Sequence, residues 1–221
     1  MAYLRPDMAA KINTETNSIK VAFLNTLKSC CRNFVVDEAN KAIIADVFDW
    51  CIRNKNGKLN PRLGLWLYGN VGTGKSTLMK AVIKFVGDYW LRDSGEKIKP
   101  RWANVPVYCG KYATEGFSVF DSIPMGLDEL GTEIEPINHV GNKLNVVAHL
   151  MSTIYDNESA IPYIVTTNLT LSEILSQYGP RTVDRIGQLF NLVEITGASR
   201  REASAIWKII KAEQTHNAVA K

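Results

Sequence analysis

Leu63-Gly64-Leu65-Trp66-Leu67-Tyr68-Gly69-Asn70-Val71-Gly72-Thr73-Gly74-Lys75-Ser76 is the stretch that decides the fold. Its first six residues are an almost continuous apolar run, as in a strand buried on both faces of a parallel sheet. Its last eight fill every fixed position of the phosphate-binding loop pattern G-x-x-x-x-G-K-[ST]. Beyond it, Leu78, Met79, Val82, Ile83, Phe85 and Val86 recur at helical spacing. Strand, glycine loop and helix in that order form a cradle of main-chain N–H donors at a helix start. Glycines 69, 72 and 74 admit phosphate oxygens to the backbone of Asn70, Val71 and Thr73. The spacing assigns Lys75 to the β and γ phosphates, Ser76 to a Mg²⁺ ion and Thr77 to the neighbourhood of the α-phosphate.

The rest of the 221-residue chain alternates between the two periodicities. A helical stripe through Ile19, Ala22, Phe23 and Leu27 precedes a second helix over residues 38–53, with Asp37 as its N-cap. After the loop helix, strands are expected over residues 105–109, 123–129, 161–167 and 192–196. Helices are expected over 112–120, 142–155, 171–178 and 182–190. This alternation implies an α/β fold with a doubly wound parallel sheet.

Composition restricts the function classes. An apolar fraction of 46% with 22% charged residues describes an ordinary folded domain. No apolar run reaches transmembrane length and no signal-peptide core is visible, so a cytoplasmic setting without a membrane partner is expected. Cys30, Cys31, Cys51 and Cys109 lack metal-ligand spacing and are expected as buried, reduced thiols. The net charge of +4 permits an anionic polymer as partner. Basic residues cluster at 53–58, at Lys97-Ile98-Lys99-Pro100-Arg101 beside Trp102, and at Arg200-Arg201. The second cluster suits a single-stranded nucleic acid, through phosphate neutralisation and base stacking. His139, His149 and His216 pair into no metal or catalytic spacing.

Turnover of a bound nucleotide needs a carboxylate for the metal, a group that orients water, and positive charge near the γ-phosphoryl. Asp128, in Leu127-Asp128-Glu129-Leu130, suits the Mg²⁺ shell, and Glu129 suits a general base. Asn168, after Thr166-Thr167, falls at a strand end from which an amide reaches water.

Behind the phosphate loop, Asp128-Glu129-Leu130-Gly131, Thr167-Asn168-Leu169, Tyr178-Gly179-Pro180-Arg181-Thr182-Val183-Asp184-Arg185 and Ser199-Arg200-Arg201 follow in order. This set resembles the DnaC/IstB-like branch of the AAA+ ATPases, which includes replicative helicase loaders and transposition helpers. The resemblance implies a P-loop core with a five-stranded parallel sheet flanked by helices over residues 34–201, and no separate C-terminal lid domain. A short helical N-terminal appendage over 1–33 and a tail over 202–221 would flank that core. Helicase loaders of this group carry a larger N-terminal domain, so the partner-binding device is expected to be missing or reduced to one helix. By the same resemblance Asp128 and Glu129 match the Walker B pair and Asn168 the sensor 1 residue. Arg185, with Arg181 as the alternative, matches the arginine finger, and Arg200, with Arg201 beside it, the sensor 2 arginine. Implied further are ATP and Mg²⁺, a nucleotide-dependent homo-oligomer, single- or double-stranded DNA, and a replicative helicase or a transposase as protein partner.

Overall fold

In the computed structural model of the chain, residues 6–31, 34–94, 101–156 and 162–200 are described, with side chains from residue 16 in the first segment and up to residue 88 in the second. The strands are β1, Gly64–Tyr68, β2, Trp102–Asn104, β3, Gly126–Leu130, β4, Ile137–His139, β5, Asn142–Leu144, β6, Ile164–Thr167, and β7, Phe190–Glu194. The helices are α1, Pro6–Cys30, α2, Lys41–Cys51, α3, Lys75–Ser94, α4, Val105–Glu115, α5, Val146–Asp156, α6, Leu171–Tyr178, and α7, Pro180–Leu189. Five strands form one sheet in the order β2-β3-β6-β1-β7, and every pairing in it is parallel.

The apolar run around residue 65 reads as continuous because β1 lies inside the sheet and has a helical layer on each face. Leu65 and Leu67 point into one layer with Phe23, Phe48, Met79 and Phe85, on α1, α2 and α3. Trp66, between them, points into the other with Tyr112, Leu150, Ile186 and Phe190. A period of two thus distributes one strand over two cores. Each fully buried Leu or Phe contributes about 1.5–3 kcal/mol of apolar burial. Helix α1 belongs to this packing: Phe23 and Leu27 are fully buried, and the Phe23 ring lies 5.1 Å from that of Phe85 and 5.5 Å from that of Phe48.

Several elements differ from the sequence reading. Residues 105–109, read as a strand, open α4, and the strand is the preceding Trp102–Asn104. Pro106 decides this, because a residue without an N–H suits the first helical turn and interrupts a strand ladder. Val105, Tyr108, Cys109 and Tyr112 are buried at helical spacing, so their apolar run belongs to a helix face. Residues 142–144, read as the start of a helix, form β5 of the hairpin β4–β5. Val140 and Gly141, at φ 47° and 86°, make a two-residue turn with both residues left-handed, which matches the twist of a hairpin. Asp37 is not the N-cap of α2, which begins three residues later behind Asn40; its carboxylate accepts the Ala39 and Asn40 amides instead. The strand read over 161–167 begins at Ile164, residue 161 lying outside the described residues. Helix α6 has the expected limits, set by a capping box between Thr170 and Glu173. Cys51 and Cys109 are buried thiols as expected, whereas Cys30 is exposed and Cys31 half-buried. Among the described residues no helix is long and apolar enough to cross a membrane.

Candidate functional site

The carboxyl ends of β1, β3 and β6 meet beside the start of α3. Strand β1 stands between β6, reached by crossovers on one side, and β7 on the other, the switch point where open parallel sheets hold ligands. A cavity of about 440 Å³ opens there. The loop from Val71 to Thr77 forms its floor, Glu129, Thr166, Thr167 and Asn168 one wall, and Arg200 its far side. Opposite the loop the lining turns apolar, through Phe34, Val35, Ile43, Ile44 and Ile195. A polar cradle continuous with an apolar slot fits a ligand with a phosphate chain at one end and a flat ring at the other.

The loop is held open by its own bonds. Lys75, only 6% exposed, donates to the carbonyls of Gly69 at 2.7 Å and Asn70 at 2.6 Å, and the Thr73 hydroxyl donates to the Asn70 carbonyl at 2.9 Å. Gly72 has φ 82°, and a Cβ there would stand 2.2 Å from the Ser199 hydroxyl. The Arg200 amide donates to the Gly72 carbonyl at 2.8 Å. The loop therefore needs this glycine for the segment that crosses it.

Asp128 is 4% exposed and sits one hydrogen bond behind the cavity wall. Its Oδ1 accepts from the Thr166 hydroxyl at 2.6 Å, and that oxygen in turn accepts from the Glu129 amide at 3.0 Å. Thr166 thus fixes both members of the acidic pair. Glu129 has φ 63°, and the register of β3 against β6 shifts between Leu127 and Leu130. That irregularity turns its side chain outward, where Oε2 accepts from the Asn104 amide at 2.7 Å. A divalent ion fits the residues present: Ser76 at the helix start and one buried carboxylate in Asp128. Mg²⁺ is held in this manner, by one or two carboxylates with water and substrate phosphates.

Arg200 closes the far side. Its guanidinium donates to Asp37 through both amino groups, at 2.7 and 3.0 Å, joining the segment after β7 to the segment before α2. The Arg200 hydrogen bond, foremost, holds the Asp37 carboxyl below its ordinary range, and the same bond raises the Arg200 guanidinium. The other two arginines lie on α7, away from the cavity. Arg185 is half-buried, donates to Ser152 of α5 and lies 5.3 Å from the Tyr155 ring centroid, and Arg181 is exposed. Arg201 and residues 97–100 of the basic cluster lie outside the described residues. Trp102 of that cluster is 47% exposed.

The structure brings Ser76, Thr77, Glu129, Asn168 and Arg200 to one cavity, with Asp128 directly behind it, and leaves Arg181 and Arg185 outside it. Sequence reasoning missed Asn104, because placing the strand at 105–109 put that residue in a loop. It missed the pairing of Asp37 with Arg200 because 163 residues separate the two. The apolar slot was also hidden, since Phe34 and Val35 belong to no periodic element.

No protein-family model matches the chain, and no curated protein matches it in sequence. Solved structures do. The chain is similar to the crystal structure of the DnaC helicase loader, at 17% identity and a TM-score of 0.54, over 76% of this chain and 96% of that one. It is similar to the crystal structure of DnaI at 21% identity and a TM-score of 0.55, over 80% and 93%. A proposed primosome component from Streptococcus pyogenes serotype M3 matches at 18% identity and a TM-score of 0.54, over 76% and 85%. At such identities the likeness establishes the fold, a five-stranded parallel P-loop core of the kind found in the helicase loaders.

Proposed function

We propose that the protein is an ATP-binding and ATP-hydrolysing accessory factor of DNA replication, acting in the manner of a helicase loader. The observation that carries this reading is the single cavity in which a phosphate loop, an acidic pair, a strand-end amide and an arginine converge. The nucleoside occupies the slot lined by Phe34, Val35 and Ile43, and the phosphates lie along residues 71–77. Mg²⁺, when bound, supplies charge neutralisation at the β and γ phosphates. Lys75 leaves its carbonyl partners for phosphate oxygens, and Ser76 and Asp128 serve the ion. Glu129 takes the proton of the attacking water, and Asn168 orients that water. Arg200 adds positive charge from the same subunit. Arg185, or Arg181 beside it on α7, completes the site of a neighbouring copy, which makes turnover dependent on assembly. The partners are a replicative helicase and DNA.

A second reading, an ATP-gated contact with little turnover, is favoured by one feature: Asn104 already holds the Glu129 carboxylate at 2.7 Å. A transposition helper remains within the first reading, with a transposase as the partner. ATP binding and turnover, measured with and without single-stranded DNA, test these readings. Lys75→Ala is expected to abolish binding, and DNA is expected to stimulate hydrolysis by the unaltered chain. Unchanged binding by Lys75→Ala refutes the site; nucleotide-dependent partner binding without turnover selects the switch.

A further inference from the structure

A second lysine of α3 faces the acidic pair. Lys80 lies five residues beyond Lys75, and its ammonium stands 3.6 Å from Asp128 Oδ2 and 3.9 Å from the Trp102 ring centroid. At 3.6 Å the contact is an ion pair without a hydrogen bond. Oδ1 of the same carboxylate is taken at 2.6 Å by Thr166, so Asp128 is held firmly on one side and loosely on the other. Its side chain is 6% exposed and that of Lys80 is 36% exposed. A buried carboxylate of this kind requires a compensating charge. The ring face of Trp102, on the edge strand β2, gives the ammonium a resting place that does not depend on Asp128.

We infer that Lys80 is a placeholder cation for the metal carboxylate: it balances Asp128 until a divalent ion arrives, then withdraws along the Trp102 ring toward solvent. Three features carry the assignment. The ion pair is loose on the Oδ2 side alone, the lysine is partly solvated while its partner is not, and an aromatic face lies next to the ammonium. A lysine serving only to stabilise the fold would gain more from hydrogen-bond distance. Lys80 acts through Asp128 and is a positioning residue. Its cost is competition, since a positive charge beside Asp128 opposes the entry of another. The inference rests on the ATP·Mg²⁺ reading of the cavity.

The test is a MgCl₂ titration of mant-ATP binding, read at equilibrium, with Trp fluorescence recorded in parallel. Lys80→Met is expected to lower the Mg²⁺ concentration at half-saturation on the order of tenfold, the effect of one nearby unit charge at a partly exposed site. Lys80→Arg, which keeps the charge and stacks on the same ring, is expected to stay within about twofold of the unaltered chain. Addition of Mg²⁺ with unlabelled ATP is expected to change the Trp emission, and Lys80→Met and Trp102→Phe should each remove that change. An unshifted or raised Mg²⁺ midpoint in Lys80→Met, with mant-ATP still bound, overturns the inference. So does an emission change that persists in Lys80→Met. Failure of mant-ATP to bind the unaltered chain at any Mg²⁺ concentration overturns the nucleotide reading itself, and this inference with it.

Discussion

Gly72→Ala separates what the phosphate loop needs for a ligand from what it needs for its own packing. A left-handed conformation costs a residue with a Cβ about 1–2 kcal/mol, and Gly72 has φ 82°. The added methyl also stands 2.2 Å from the Ser199 hydroxyl and 2.9 Å from its Cβ, closer than real carbon contacts allow. Displacing that segment costs about 1–3 kcal/mol by the usual scale of overpacking. It also puts at risk the 2.8 Å bond from the Arg200 amide to the Gly72 carbonyl, worth about 1 kcal/mol. The sum predicts destabilisation of about 3–6 kcal/mol for Gly72→Ala, measured by urea unfolding. Gly72→Ala/Ser199→Gly removes the clash and keeps the strain, so it should retain only about 1–2 kcal/mol of the loss relative to Ser199→Gly. If the single variant loses under about 1 kcal/mol, or the Ser199 change restores nothing, then the segment carrying Arg200 does not lie across the loop as described.

Two further predictions concern stability. Phe23→Ala should cost about 3–5 kcal/mol, the range for deleting a fully buried aromatic, and lower the melting temperature by about 10 °C. A loss under about 1.5 kcal/mol in calorimetry would mean that α1 is not part of the core. Glu135→Gln should stabilise the protein at neutral pH by about 1 kcal/mol, because Glu135 Oε2 is buried without a partner while Oε1 takes the Val147 amide at 2.9 Å. Burial, the largest cause, raises the Glu135 carboxyl above its ordinary 4.5. For a raised acid the contribution to stability is complete below the unfolded value and is lost as pH rises through the folded one. The advantage of Glu135→Gln should therefore shrink as pH falls toward 4.5, which urea unfolding at a series of pH values reads directly. A constant difference between the two proteins would refute the assignment.

What the sequence disclosed depended on whether a residue acts within its own element or across two. The loop from Gly69 to Ser76, leading from β1 into α3, was legible because its pattern is local: three glycines, a lysine and a serine within eight residues. Strand β1 was legible for the same reason, by an unbroken apolar run; helix α6 was read at its observed limits, and the structure adds the capping box that Thr170 and Glu173 complete between themselves. Asn168 was legible as a strand end, whereas Asp128, read at a strand end, lies in the middle of β3, and the geometry of neither was legible. The hydroxyl that joins Asp128 to Glu129 comes from Thr166, on the neighbouring strand, and parallel register is written in no single segment. The misplaced strand at 105–109 had a compounding effect. Shifting β2 back by three residues changes one boundary, and it also moves Trp102 beside Lys80 and Asn104 beside Glu129. Both flanks of the acidic pair therefore follow from Pro106 opening the first turn of α4. A short edge strand of three residues carries too little periodic signal to be found from its own composition. It contributes little to the core, with no residue of Trp102–Asn104 fully buried, and what it does carry is contact with Asp128 and Glu129. Such a segment acts through its position relative to β3, so a single inserted residue between Trp102 and Asn104 should disturb the acidic pair while leaving the two hydrophobic layers intact.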